Sequence, residues 1–111
     1  MPKPKIILRG LPASPGIVKG RVKIISDPSQ GSKVQYGDIL VTEMTDPRFV
    51  PAMGKAKAIV TNIGGLLCHA AIVSREMRIP CVTATKKATK ILKDNQEIIV
   101  DGTEGEIYET K

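Results

Sequence analysis

The sequence has few aromatic residues. Among 111 residues there are two tyrosines, one phenylalanine and no tryptophan. No apolar run is long enough to cross a bilayer, and the opening MPKPKIILRG lacks the long apolar region and small-residue cleavage site of a secretory signal. The 41% of hydrophobic residues, mostly Ile, Val, Leu and Ala, excludes a disordered chain. We therefore expect a folded cytoplasmic protein with no membrane partner.

Charge and cysteine content limit the partners further. Seventeen Lys and Arg against eleven Asp and Glu give a formal charge of +6, which favours an acidic partner such as a phosphate, a nucleotide or a nucleic acid. The densest basic cluster is Lys86, Lys87 and Lys90, but the scarcity of aromatic side chains for base stacking argues against nucleic acid. Cys68 and Cys81 are expected to be free thiols.

Turn residues divide the chain into short segments that are typical of one α/β domain. We expect a flexible basic N-terminus at 1–9 and a single domain at 10–111. Alternating or β-branched runs predict strands at 11–25, 39–43, 58–62, 81–84, 96–102 and 105–109, of which 58–62 is an interior strand.

Two short helical turns are also predicted. Pro47 and Pro51 restrict the first to a single turn starting around 46–49, with Asp46 or Thr45 as its N-cap. The second is expected at 88–92.

One main helix is predicted after the Gly64-Gly65 pair. Its apolar stripe, spaced at i, i+4, i+7 and i+11, consists of Leu66, Ala70, Val73 and Met77. Pro80 ends the helix at about Arg78, because the residue before a proline is pushed towards extended geometry. The strand at 58–62, the glycine turn and this helix form a β-turn-α unit.

The only histidine, His69, lies near the start of this helix. On a helical wheel it falls roughly 60° from the apolar stripe, at the shoulder of the buried face. Gly64 and Gly65 allow a sharp turn and a close approach of a ligand to the backbone, and a first helical turn offers unpaired N–H groups to an anion. Since a neutral imidazole carries a nucleophilic lone pair, we interpret His69 as a phosphoryl acceptor.

Three other roles for His69 are weaker. A histidine that only satisfies its hydrogen bonds at the edge of a core would not need the glycine pair. A zinc site from Cys68, His69 and Cys81 would have only three ligands, and adjacent helical residues point about 100° apart. Cys68 as a nucleophile with His69 as its base fails for the same geometric reason. We expect no metal site.

The stretch GGLLCHAAIVSREMRIPCV resembles the phosphohistidine motif of the phosphoenolpyruvate-utilising enzymes, the family of phosphoenolpyruvate synthase and pyruvate phosphate dikinase. LPASPGIVKGRV is similar to the entry strand of that family, and GDILVTEMTDPRFVPAMGKAKAIVTNIGG is similar to the segment that leads to its histidine. KILKDNQEIIVDGTEGEIYE is similar to the closing strands. The resemblance covers nearly the whole chain, from about Gly10 to Tyr108.

The resemblance implies a swivelling β/β/α domain of α/β class, with layers of short strands and one main helix that carries His69 at its N-terminus. It implies that His69 is the phosphorylated residue, that Gly64, Gly65 and Cys68 form the phosphate-approach loop and helix start, and that Arg75 and Glu76 match an Arg-Glu pair. Because Arg75 lies opposite the stripe, we expect a structural ion pair or a docking contact from it.

The implied activity is that of a phosphotransferase component which is incomplete on its own. The domain itself would bind no cofactor. Mg²⁺ and ATP or phosphoenolpyruvate would be bound by partner domains, one an ATP-grasp-like nucleotide-binding domain and the other a phosphoenolpyruvate/pyruvate-binding domain. An alternative is a non-catalytic docking or regulatory module that keeps the fold and binds a dikinase-like partner.

Two positions depart from the family pattern. Leu67 stands where the family has a threonine two positions before the histidine, so the hydroxyl used for regulatory phosphorylation in some dikinases is missing. Ala84 stands where a glycine is usual, a change that we expect to alter only a turn.

Overall fold

Short strands make up most of the structure. A computed structural model of the chain describes residues 4–110. The strands are β1 (Ile6–Arg9), β2 (Leu11–Ser14), β3 (Ile17–Ile24), β4 (Ile39–Thr42), β5 (Ala58–Thr61), β6 (Cys81–Thr83), β7 (Glu97–Asp101) and β8 (Glu106–Glu109). The helices are α1 (Val50–Met53), α2 (His69–Met77) and α3 (Ala88–Ile91), with two 3-10 helices at Pro28–Lys33 and Pro47–Phe49. The predicted strands from β4 onwards are confirmed to within one residue at each end.

The strands form one sheet with a parallel and an antiparallel half. Its order is β1-β8-β7-β3-β4-β5-β6-β2. Strands β3 to β6 run parallel, whereas β1, β8, β7 and β3 pair antiparallel and β2 pairs antiparallel with β6. All four residues of β4 and all four of β5 are buried, as expected for parallel strands that are covered on both faces. The prediction of an interior strand at 58–62 is confirmed.

Two hydrophobic cores separate three layers. Successive residues of β4 face opposite sides: Val41 lies in a core with Ile98 and Ile107 of the antiparallel half, and Leu40 lies in a core with residues of α1 and α2. The antiparallel half therefore packs over one face of the parallel half, and the helices α1 and α2 cover the other face. This is the β/β/α layering that the resemblance implied.

The main helix begins later than its apolar pattern predicts. Cys68 has extended backbone angles and is the N-cap, so His69 is the first helical residue. Leu66, which was placed on the buried stripe, lies before the helix and is 49% exposed. The prediction is wrong here because an exposed leucine in a loop has the same spacing signal as a core leucine. The buried helical residues are Ala70, Ala71 and Ser74.

The end of this helix agrees with the prediction. Helix α2 ends at Met77, and its C-cap Arg78 adopts a left-handed conformation with φ 59°. The Arg78 amide donates to the Ser74 and Arg75 carbonyls, which satisfies part of the last turn. Ile79 and Pro80 then lead directly into β6.

The expected flexible segment at 1–9 is wrong for its last four residues, because these form β1. Ile6 is paired with Tyr108 and Leu8 with Ile107, and Leu8 is buried in the core below the antiparallel half. The pairing partner lies about a hundred residues away, so no local pattern indicated this strand. Residues 1–3 of that segment lie outside the described residues.

The two cysteines are free thiols, Cys81 buried and Cys68 half-buried. Within residues 4–110, no helix combines the length and the apolar character that a membrane crossing requires.

Cys81 provides a test of the packing between β6 and α2. Burial raises the pKa of its thiol to about 12, from an ordinary value of 9.0. Because the folded state holds this proton more tightly than the unfolded chain, the contribution to stability is complete below about pH 9 and is lost as pH rises towards about 12. Relative to Cys81→Ala, the wild type should lose about 2 kcal/mol of unfolding free energy between about pH 8 and pH 10.5 in urea titrations. Parallel pH profiles for the two proteins would contradict this prediction.

Candidate active site

The segments that follow β4 and β5 meet at one edge of the sheet. Because these strands are parallel neighbours, with Thr42 opposite Thr61, the chain leaves both of them at the same end. The segment after β4 brings Thr45 to this edge, and the segment after β5 brings Gly64 and the start of α2. His69 therefore lies where two consecutive parallel strands end, which is a common position for sites in α/β proteins.

A buried threonine holds the imidazole. Thr45 Oγ1 and His69 Nδ1 lie 2.8 Å apart in a hydrogen bond, and Thr45 is only 4% exposed. This bond fixes the plane of the ring and engages Nδ1, which leaves Nε2 as the other ring nitrogen. The sequence interpretation considered Thr45 only as a possible N-cap. The N-cap of the 3-10 helix is instead Asp46, whose side chain accepts a hydrogen bond from the Arg48 amide.

The histidine lies in a small cleft, which we call the histidine cleft. Its volume is about 200 Å³. The residues that line it are Met44, Thr45, Ile63, Gly64, Cys68, His69 and Ala70. Apart from Thr45 and His69, the side chains of this lining are apolar or a thiol, so a charged group that entered would meet the imidazole and backbone amides.

The first turn of α2 offers its amides to an anion. The first backbone hydrogen bond of the helix runs from the Ile72 amide to the Cys68 carbonyl, at 3.0 Å. Among the described residues, the amides of His69, Ala70 and Ala71 have no protein acceptor. These donors, together with the positive end of the helix dipole, favour a phosphoryl group at this end of the helix.

The two glycines before the helix have different roles. Gly64 has φ +149°, and a Cβ atom there would lie 2.9 Å from Cys68 Sγ and 3.3 Å from Thr83 Cβ. A Cβ atom at Gly65 would meet nothing within 4 Å. Gly65 instead contributes its carbonyl, which accepts hydrogen bonds from Cys68 Sγ at 3.3 Å and from Thr83 Oγ1 at 3.2 Å. Only Gly64 is required by the geometry of the turn.

Arg75 stabilises the loop that precedes α2, and it does not line the histidine cleft. Its guanidinium donates to the Ala13 carbonyl at 2.6 Å and to the Leu66 carbonyl at 2.8 Å. It thereby joins β2, the loop and α2. Of the two expected roles, the ion pair is wrong, because within residues 4–110 the salt bridges do not include Arg75 or Glu76, and the docking contact stays a prediction. A guanidinium satisfied by two carbonyls has a structural role, and Glu76 is exposed on the helix surface.

The carboxylate of Asp46, next to Thr45 in the sequence, is paired with the guanidinium of Arg48. Arg48 forms a paired contact with Asp46, with its Nη2 atom 2.7 Å from Oδ2 and its Nε atom 3.0 Å from Oδ1. These hydrogen bonds, with one from the Arg48 amide, hold the pKa of Asp46 at about 2. The carboxylate is therefore ionised at neutral pH, but Arg48 offsets its repulsion of an incoming phosphate.

The zinc alternative has no support in the geometry. Across residues 4–110, no group of three or more His, Cys, Asp or Glu side chains is arranged to hold a metal ion. Cys81 lies in the core beneath α2, whereas Cys68 and His69 face the histidine cleft.

Comparison with known proteins identifies the family of the chain. Residues 34–105 match the family described as PEP-utilising enzyme, mobile domain. The chain belongs to this family. The matched segment of the mobile domain includes β4, β5 and α2, and so contains both Thr45 and His69.

Relatives of this mobile domain are much longer proteins. This chain is 59% identical over 105 residues to a probable phosphoenolpyruvate synthase of Archaeoglobus fulgidus, and the alignment covers 95% of this chain and 14% of that protein. It is 60% identical over 104 residues to the phosphoenolpyruvate synthase of Pyrococcus furiosus, covering 94% of this chain and 13% of that protein. The chain thus spans about one seventh of the length of these relatives.

Solved structures with the same fold include a solution structure of Enzyme I, with 26% identity and a TM-score of 0.61 over 69% of this chain and 32% of that chain. Aconitase X of Thermococcus kodakaraensis, at 21% identity, has a TM-score of 0.70 over 94% of this chain and 98% of that chain. The second likeness concerns the fold alone.

The two glycines form a matched pair for a test of the mobile domain. Gly64→Ala should lower the free energy of unfolding by about 1–3 kcal/mol, because the new Cβ atom meets Cys68 Sγ and the backbone angle is strained for alanine. Gly65→Ala should change it by less than about 1 kcal/mol, since its Cβ atom points into open space. Urea unfolding of both variants measures the difference. Equal losses would show that the loop is not constrained as described.

Proposed function

We propose that this domain is a phosphoryl carrier, which accepts a phosphoryl group on His69 and passes it to an acceptor at a second site. The observation that carries the proposal is the arrangement of His69 at the first position of α2, with Nδ1 held by Thr45 and Nε2 left for reaction. Membership of the PEP-utilising mobile-domain family and the similarity to phosphoenolpyruvate synthases support it.

The Thr45 contact suggests which nitrogen reacts. In the neutral ring, a proton on Nδ1 donates to Thr45 Oγ1, and the lone pair is then on Nε2. Nε2 attacks phosphorus, an N–P bond forms, and the bond from phosphorus to the donor oxygen breaks with its electron pair leaving on that oxygen. The proton on Nδ1 stays in place, so the phosphorylated ring keeps its hydrogen bond to Thr45. Delivery to the acceptor reverses these bond changes.

The first turn of α2 would stabilise the transferred group. The free amides of His69, Ala70 and Ala71 can donate to the equatorial oxygens of the phosphoryl group, where negative charge is spread during the transfer. The walls of the histidine cleft are largely apolar, and closure of a partner domain over them would exclude water and strengthen these contacts.

Donor and acceptor would be bound by partner domains. An ATP-grasp-like domain with Mg²⁺ would bind the nucleotide, and a separate domain would bind phosphoenolpyruvate or pyruvate. Such domains would position the phosphoryl group in line with Nε2 and supply most of the rate enhancement. On this proposal the isolated chain is loaded and unloaded but completes no catalytic cycle.

Intact mass spectrometry tests the carrier role directly. Incubation with phosphoramidate, or with ATP and Mg²⁺ plus the Pyrococcus furiosus phosphoenolpyruvate synthase, should add about 80 Da in an acid-labile form. His69→Ala should gain nothing and should keep its fold, because His69 lies in a surface cleft. Labelling of His69→Ala would place the modification elsewhere. A wild type that stays unlabelled by every donor would favour the non-catalytic docking module.

Thr45 provides a second, sharper test. Thr45→Val keeps the shape of the side chain but removes its hydroxyl, so the ring can turn and exchange tautomers. We expect the rate of labelling by phosphoramidate to fall by roughly 10²-fold, because the reacting atom is no longer held in place. Thr45→Ser keeps the hydroxyl and should restore most of the rate.

The ring ¹⁵N shifts of His69 separate positioning from general damage to the fold. In the wild type and in Thr45→Ser they should indicate one tautomer, whereas Thr45→Val should show a mixture. If Thr45→Val retains both the wild-type rate and a single tautomer, Thr45 does not position the ring.

A further inference from the structure

A second cleft adjoins the histidine cleft along the same edge of the sheet, and we call it the lysine cleft. It has a volume of about 310 Å³, and its polar lining residues are Ser26, Glu43, Asn62, Lys86, Thr89 and Lys90. The neighbouring residues Met44 and Ile63 line the histidine cleft. The two clefts are therefore separated only by the chain segments that leave β4 and β5.

The buried side-chain amide of Asn62 links the segments that line the lysine cleft. Asn62 is only 6% exposed, and its Nδ2 atom donates to Glu43 Oε1 and, at 2.7 Å, to Thr89 Oγ1. Its Oδ1 atom accepts from the Thr89 amide at 3.1 Å, and its backbone carbonyl accepts from the Lys86 amide at 2.9 Å. These bonds fix α3 against the end of β5, so the lysines keep a defined position relative to His69.

The rim of this cleft has an unbalanced positive charge. Lys86 and Lys90 line the cleft and are exposed, and Lys87, which is also exposed, adjoins Lys86 in the sequence. The salt bridges among residues 4–110 join Arg9 to Glu106, Lys33 to Asp94 and Arg48 to Asp46, so none of these three lysines has a carboxylate within 4.0 Å. The one carboxylate among the lining residues, that of Glu43, accepts a hydrogen bond from the neutral Asn62 amide and keeps its negative charge, so the two lining lysines outnumber it.

On this basis, and resting on the proposed function, we propose that the lysine cleft is an electrostatic docking subsite. It receives carboxylate side chains of the partner domain that loads or unloads His69. The two lysines that line this cleft have no carboxylate partner within 4.0 Å, and Lys87 adds a third exposed cation next to Lys86 in the sequence. Such a group of cations favours an anionic surface, and ion pairs of this kind guide encounter and orientation more than they add affinity. Nucleic acid fits less well, because the residues that line the two clefts include no aromatic side chain on which bases could stack.

The test compares a protein donor with a small donor that needs no docking. The protein donor is the Archaeoglobus fulgidus probable phosphoenolpyruvate synthase with ATP and Mg²⁺, and the small donor is phosphoramidate. For each variant the rate of phosphate incorporation from the protein donor is divided by the rate from phosphoramidate, which corrects for any change at His69 itself.

The double variant Lys86→Glu/Lys90→Glu reverses the charge of the rim. Its normalised rate should fall roughly tenfold at low ionic strength, and the deficit should shrink as salt screens the contact. The matched control is Lys19→Glu/Arg21→Glu, which makes the same charge change at exposed positions of β3 that pair with β7. The control should keep the wild-type ratio.

Several results would overturn the docking subsite. One is a normalised rate for the double variant that equals the wild type at low salt. Another is an equal loss in the control, which would assign the effect to net charge. A third is binding of a single-stranded oligonucleotide near physiological salt by the wild type but not by the double variant. A wild type that phosphoramidate labels but the synthase does not would also reject it while leaving the phosphorylation of His69 intact. Failure of both donors would instead reject the carrier function.

Discussion

Strands β4 and β5 are buried on both faces, and this constraint determines the rest of the architecture. A strand without an exposed face needs an apolar layer above and below it, so the antiparallel half of the sheet covers one side and helices α1 and α2 cover the other. Parallel pairing of the same strands brings the segments that follow them to one edge. Thr45 and His69, which are 24 residues apart in the chain, meet there because of this pairing.

The charge distribution at this edge suits the transfer of an anionic group. The start of α2 contributes amides and the positive end of a dipole, and the α3 region contributes three lysines. Both nearby carboxylates are engaged, Asp46 by Arg48 and Glu43 by Asn62. The edge therefore offers donors and cations to a phosphoryl group, and Arg48 offsets the negative charge of Asp46.

Short stretches of the sequence were sufficient to predict several strands and the end of the main helix. The β-branched runs predicted β4, β5 and β6, and Pro80 predicted the end of α2, because these features depend on residues close in sequence. The glycine pair and the apolar stripe placed His69 near the start of a helix, and the layering came from the resemblance to a known family. The start of α2 was misplaced because the spacing of Leu66 does not reveal whether its side chain is buried.

The remaining features depend on contacts between distant parts of the chain. Strand β1 exists through its pairing with β8, and the role of Thr45 follows from the register between β4 and β5. An ion pair was one of the two roles expected for Arg75, whereas its guanidinium donates to carbonyl groups of β2 and of the loop before α2. Thr45 lies three residues after β4, whose neighbour β5 leads to the histidine. A hydroxyl at such a position is the signal in the sequence that points to Thr45.

The pairing of β1 with β8 has a mechanical consequence. The Glu109 amide donates to the Lys5 carbonyl at 3.0 Å, so the two ends of the described chain lie side by side. A unit of this kind can be inserted into a larger polypeptide with its flanking residues separated by only about 5 Å, the spacing of paired strands, and without opening a gap in the host. In such an insertion, two connections so close together would lie near a single axis. The inserted unit could turn about that axis as a rigid body while both ends stay attached.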